Sequence, residues 1–193
     1  MIAVVFVKRS VRLPGKHSIL IGGKVLLDRV VETIVKVKEF DEVIVFSKDL
    51  SVSGKGIRII EDHTEGTIVD SLIWAIQHLG DIFAFAGDMP CISADLISLM
   101  VRSKSSVALI PIHSDGDVEP LHAIYLKKSL DDGLNSNTVR TLKSFVKMIP
   151  HEYFPIPASY EHTFFNLNTP EDLKFFRSNG CQAKGEGQKK ALH

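Results

Sequence analysis

The sequence predicts an α/β fold built around a largely parallel sheet, and three observations point that way. Ile82-Phe83-Ala84-Phe85-Ala86 is apolar without a polar break, the pattern of a strand buried on both faces of a parallel sheet. It stops at Gly87-Asp88-Met89-Pro90, where glycine lets the backbone turn and proline ends strand pairing. A comparable run at Ile2–Val7 is followed by helical periodicity over Lys24–Lys38, and those at Asp41–Phe46 and Gly56–Ile60 are followed by helical periodicity over Thr67–Leu79. Strand and helix therefore alternate, as βαβ units require.

The elements follow in order. Ile2–Val7 is the first, central strand. Lys8–Lys16 carries four cations and the turn Pro14-Gly15; such a loop either wraps polyphosphate or is a solvated basic surface. After Gly22-Gly23, Lys24–Lys38 has Val25, Leu26, Val30, Val31, Ile34 and Val35 at helical spacing. Asp41–Phe46 and Gly56–Ile60 are strands joined by a polar loop over Lys48–Lys55. Thr67–Leu79 is a helix with Leu72, Ile73 and Ile76 on its apolar face. Asp62 precedes that helix and Asp88 follows the apolar run, both at strand ends, the ligand-binding edge of open α/β sheets. Asp62 at that edge accepts bonds from a sugar or base, or is a cap or surface charge. Asp88 likewise either faces a ligand or closes its own turn through an Asx bond.

Further along, Ser93 caps a helix to Val101, and Ser106–Ile112 is another buried strand. Asp115-Gly116 turns the chain into a strand over Val118–Leu126, in which Pro120 argues for an edge or bulged strand. Thr138–Met148 reads as a helix and Phe154-Pro155-Ile156-Pro157 as an extended connector. Thr169 caps a terminal helix with Pro170 at its first position, ending by Gly180; Lys184–His193 is polar. Trp74 and Phe164-Phe165 read as core residues rather than stacking platforms.

The totals exclude several classes. Lys+Arg and Asp+Glu balance at 23 each in 193 residues, so no basic field marks a nucleic-acid partner. No apolar run is long enough for a membrane span, and the opening strand is too short for a signal segment. The expectation is a cytoplasmic protein. Cys91 and Cys181 lie far apart without neighbouring ligands, and announce neither a disulfide framework nor a zinc site.

Three phrases occur together: Ala86-Gly87-Asp88-Met89-Pro90, Glu119-Pro120-Leu121-His122-Ala123, and Phe165-Asn166-Leu167-Asn168-Thr169-Pro170-Glu171-Asp172-Leu173. With Lys16 before Gly22-Gly23-Lys24, they resemble the molybdenum cofactor guanylyltransferase family, the MobA-like nucleotidyltransferases. The resemblance covers residues 1–178, taken as one domain, with 179–193 as a polar tail. It implies a single-domain, Rossmann-like (GT-A-like) three-layer fold around a mixed sheet. It also implies transfer of GMP from GTP to molybdopterin, with release of pyrophosphate and a requirement for Mg²⁺. Asp88 would hold the metal, Lys16 the nucleotide phosphates, Asp62 would lie near the guanosine, and Asn166 and Asn168 near the pterin phosphate. Arg12 and Lys8 would assist Lys16 in stabilising the phosphates. Glu119 would orient the acceptor or supply a second metal contact, or is a rim residue; His122 is a general-base candidate or a packed strand residue.

The chain departs from the family pattern in its first turn, where Val5-Phe6-Val7-Lys8 replaces Leu-Ala-Gly-Gly. Arg12-Leu13-Pro14-Gly15-Lys16 resembles instead the phosphate loop of CMP-Kdo synthetases, and Val7-Lys8-Arg9 is similar to phospholactate guanylyltransferases. Those substrates, and a non-catalytic nucleotide-binding adaptor, are the alternatives. Oligomeric state is left open, a homo-oligomer included.

Overall fold

A computed structural model describes residues 1–48, 57–130 and 139–181. Strand β1 (Ile2–Val7) leads into a basic loop and a hairpin of β2 (Leu20–Ile21) and β3 (Lys24–Val25). Helix α1 (Leu26–Val35), β4 (Glu42–Ser47), β5 (Arg58–Glu61), α2 (Ile68–Leu79), β6 (Ile82–Ala86) and α3 (Ala94–Arg102) follow. The second half contains β7 (Ala108–Ile112), β8 (His122–Tyr125), α4 (Leu142–Met148), β9 (His151–Pro155) and α5 (Pro170–Asn179). The expected polar loop over 48–55 falls, after Lys48, outside the described residues. So do Gly56, Thr138 and the tail from 182.

The seven main strands run in the order β5-β4-β1-β6-β8-β7-β9. β1, β4, β5 and β6 pair in parallel, β8 is antiparallel to β6 and β7, and β9 is parallel to β7. The sheet is mixed and mostly parallel.

Alternation along β1 builds both sides of the core. Val5 and Val7 pack with Leu27, Val30 and Ile34 of α1 and with Leu96 and Met100 of α3. Val4 and Phe6 pack with Leu72 and Ile76 of α2 and Phe145 of α4. The result is three layers, helix–sheet–helix, with period-two side chains feeding both cores. Caps hold the helix starts: Thr67 and Asp70 form a reciprocal capping box on α2, as Thr169 and Asp172 do on α5.

Three expectations need correcting. β8 is an interior strand rather than an edge strand: it begins at His122, after Pro120, so the proline costs no ladder bond. The connector at 154–157 is in part the edge strand β9, which tolerates Pro155 at its end. Cys91 and Cys181 form a disulfide with 5.4 Å between Cα atoms. The fold brings together residues 90 positions apart, a proximity that neither cysteine's local sequence encodes. Among the described residues, no helix is long and apolar enough to cross a membrane.

Candidate active site

Register decides where the chemistry collects. Val7 pairs with Ser47 and Phe6 with Ala86, so β1, β4 and β6 end together. The amides of Lys48 and Gly87 extend the ladder by donating to the carbonyls of Val7 and Phe6, each at 3.1 Å. Lys8, Lys48 and Asp88 thereby emerge at one sheet edge, and the Asp62 amide joins them by donating to Ser47 at 2.8 Å.

Gly15, left-handed at φ 67°, turns the basic loop into the short 3₁₀ segment Lys16–Ser18. This turn sends Lys16 inward. Its side chain is 9% exposed, and its ammonium donates to Asp88 Oδ2 and, at 2.9 Å, to Asn168 Oδ1. Asn168 reaches this point because the Leu167 amide donates to the Asp88 carbonyl at 2.9 Å, laying the 166–168 segment beside the end of β6. Lys16, Asp88 and Asn168 thus form one charged cluster from three distant parts of the chain.

The cluster floors a cavity of about 370 Å³. Lys8, Arg9 and Arg12 line it, together with the apolar Phe6, Ile68 and Leu121. No ion-pair partner faces those three cations among the described residues. Burial first, and then the neighbouring charge of Lys48, hold the Lys8 ammonium below the ordinary lysine range. A pocket that combines apolar lining with a surplus of cations over a carboxylate suits a nucleoside polyphosphate.

Other expected site residues stand elsewhere. Asp62 is turned inward: Oδ1 accepts from the Thr64 amide at 2.9 Å and its hydroxyl at 2.6 Å, and Oδ2 from the Ser71 hydroxyl at 2.6 Å. Its side chain is 2% exposed. The residue ties the end of β5 to α2, and the expected guanosine contact would compete with these bonds.

His122 is fully buried, its ring edge-on to Phe83, Phe85 and Phe164 at 5.4, 5.3 and 4.9 Å. Among the described residues, neither ring nitrogen has a hydrogen-bond partner. Burial depresses its pKa to about 3, so it is a neutral core residue and neither a general base nor an acceptor contact. Position alone suggested otherwise: His122 opens β8 at the functional edge but points into the layer below.

Glu119 faces the His113 ring at 3.1 Å, and Glu161 approaches the same ring from its other nitrogen. Burial pulls the His113 pKa down, but the bonds to Glu119 and then Glu161 outweigh it and leave it raised. Burial pushes the Glu119 carboxyl up. Asn166 donates to the Phe164 carbonyl at 3.2 Å and does not line the cavity.

Sequence reasoning passed over His17, buried beneath the basic loop. Its signal was the position directly after Lys16 on a Pro-Gly turn.

Residues 9–152 match the model of the MobA-like NTP transferase domain. The chain belongs to that family. It is a nucleotidyltransferase, and its resemblance to molybdenum cofactor guanylyltransferases extends well beyond the motifs. The probable molybdenum cofactor guanylyltransferase of Thermococcus gammatolerans is 30% identical over 165 residues, covering 79% of this chain and 85% of that protein. A protein of the same name from Natranaerobius thermophilus is 31% identical over 177 residues, covering 82% and 85%. Among solved structures, molybdopterin-guanine dinucleotide biosynthesis protein A from Archaeoglobus fulgidus superposes with a TM-score of 0.73 at 24% identity, covering 92% of this chain and 97% of that one. CMP:2-keto-3-deoxy-manno-octonic acid synthetase, solved with CTP, shares the fold at a TM-score of 0.65 and 19% identity, covering 91% and 97%.

Proposed function

We propose that this MobA-like nucleotidyltransferase transfers GMP from GTP to the terminal phosphate of molybdopterin, releasing pyrophosphate, in the presence of Mg²⁺. The observation that carries this reading is the Lys16–Asp88–Asn168 cluster beneath a cavity edged by Lys8, Arg9 and Arg12. The relatives named above support the choice of base and acceptor.

An acceptor phosphate is already ionised near neutral pH, so attack on the α-phosphorus needs no strong base. The barrier is mainly repulsion between polyanions, and it falls when cations are held in place beforehand. Lys16 and Arg12 would take the β- and γ-phosphates, with Lys8 adding charge at the cavity wall. Asn168, two residues ahead of α5, would bind the incoming phosphate. The burial of His122 costs this scheme nothing.

The residues present fit a magnesium ion. Asp88 Oδ2 and Asn168 Oδ1 already converge on one cationic atom, the Lys16 ammonium. Both are hard oxygen donors. Among the described residues no group of three His, Cys, Asp or Glu could cage a metal, which suits an ion held by one or two protein oxygens plus phosphates and water. When bound, the ion would neutralise α-phosphate charge.

Pyrophosphate release from GTP, CTP and ATP, each with Mg²⁺ and molybdopterin, tests the reading. Release with GTP that depends on molybdopterin is the expected result. Release with CTP alone would move the chain to another acceptor and base, and silence with all three would defeat the proposal.

A further inference from the structure

His17 is 5% exposed and lies between the two loops that carry the cluster. Nδ1 stands 3.2 Å from the carbonyl of Gly87, the residue before Asp88, and Nε2 stands 3.1 Å from the carbonyl of Lys8, the first residue of the basic loop. Gly87 makes the room: a Cβ there would sit 3.0 Å from Val7 Cγ2 and 3.3 Å from the imidazole. The charges that act on the ring are those of Asp88 and Lys16. Neither makes a side-chain hydrogen bond to it; both ring nitrogens face backbone carbonyls.

We infer that His17 is a positioning residue for nucleotide binding: its ring spans the gap between the end of β1 and the end of β6 and fixes the basic loop over Asp88. A bare loop of lysines and arginines would spread by mutual repulsion, and each conformation it sampled would weaken its grip on a polyphosphate. The ring removes that freedom at Lys8, where the loop leaves the sheet. Buried backbone carbonyls need a donor. Burial first lowers the ring's pKa, and a neutral imidazole has a single N–H, so it serves one of the two carbonyls; a bond from Nε2 to the Lys8 carbonyl is the one that would hold the loop. The inference rests on the reading of the cavity as a nucleotide site.

The test compares three variants by calorimetric titration with the Mg²⁺ complex of GTP, alongside steady-state kinetics and thermal melts. His17→Phe keeps the ring and removes both nitrogens; GTP affinity should fall about tenfold, with the loss appearing in KM rather than in kcat. His17→Gln places an amide where Nε2 stands and should recover most of the affinity. His17→Asn reaches only the Gly87 carbonyl and should resemble His17→Phe. If His17→Phe does not fold, the comparison of Gln with Asn decides. Equal affinity in wild type and every folded variant overturns the inference alone. A wild type that binds no nucleoside triphosphate overturns the nucleotide reading together with the inference.

Discussion

Two aspartates stand at the same sheet edge, and the chain treats them oppositely. Asp62 gives its oxygens to Thr64 and Ser71, and so fastens a loop to a helix. Among the described residues, the Asp88 side chain is met by the Lys16 ammonium, which also faces Asn168. The difference is chemical. A carboxylate saturated by its own chain is a structural part, while one balanced by a single flexible cation can exchange that cation for a ligand. The same contrast separates the histidines: His122 is sealed in aromatic rings, and His17 lies between the Lys8 and Gly87 carbonyls of two site loops.

Substitutions can break the comparison, and the strongest is Asp88→Asn. Turnover should drop about 10³-fold, equivalent to ~4 kcal/mol in the barrier, while denaturant stability falls by about 1 kcal/mol; near wild-type turnover would put Asp88 with Asp62. Lys16→Ala comes next, with GTP affinity reduced roughly 30-fold, ~2 kcal/mol. Unchanged binding by calorimetry would remove Lys16 from the site. Asp62→Ala should reverse the pattern, losing about 2 kcal/mol of stability through stranded donors and leaving the KM for GTP within about twofold.

His122→Leu should gain about 1 kcal/mol in urea melts, because it removes two buried nitrogens without partners among the described residues, and should keep full activity. The smallest effect concerns pH. The His113 pKa is raised in the folded chain, so its stabilisation is complete below the unfolded value of about 6.5 and is lost as pH rises through the folded value. The melting temperature should therefore decline between pH 6 and 9 by an amount worth about 0.5 kcal/mol, and His113→Gln should flatten that slope.

Much of this was legible because it is local. Apolar runs gave β1 and β6, Ser93 and Thr169 gave helix starts, and the Pro-Gly turn placed Lys16 in a loop. What escaped depends on long-range contact. Whether Asp62 or Asp88 faces outward is set by neighbours such as Ser71 and Asn168, 9 and 80 positions away in the chain. β9 escaped because its exposed edge carries the burial pattern of a connector. β8 was placed wrongly because Pro120 was counted inside the strand rather than before it.

The bond between Cys91 and Cys181 makes residues 91–181 a closed ring, and leaves everything up to Pro90 as an open strand attached to it. Lys16 is on the strand, Asn168 is on the ring, and Asp88 is three residues from the knot. A denatured but oxidised chain has less room to wander, an entropic restriction of about 4–5 kcal/mol for a loop of this size. A single protease nick anywhere from 92 to 180 would leave one piece on a non-reducing gel and two on a reducing one. The same nick before residue 90 would release a fragment in either lane.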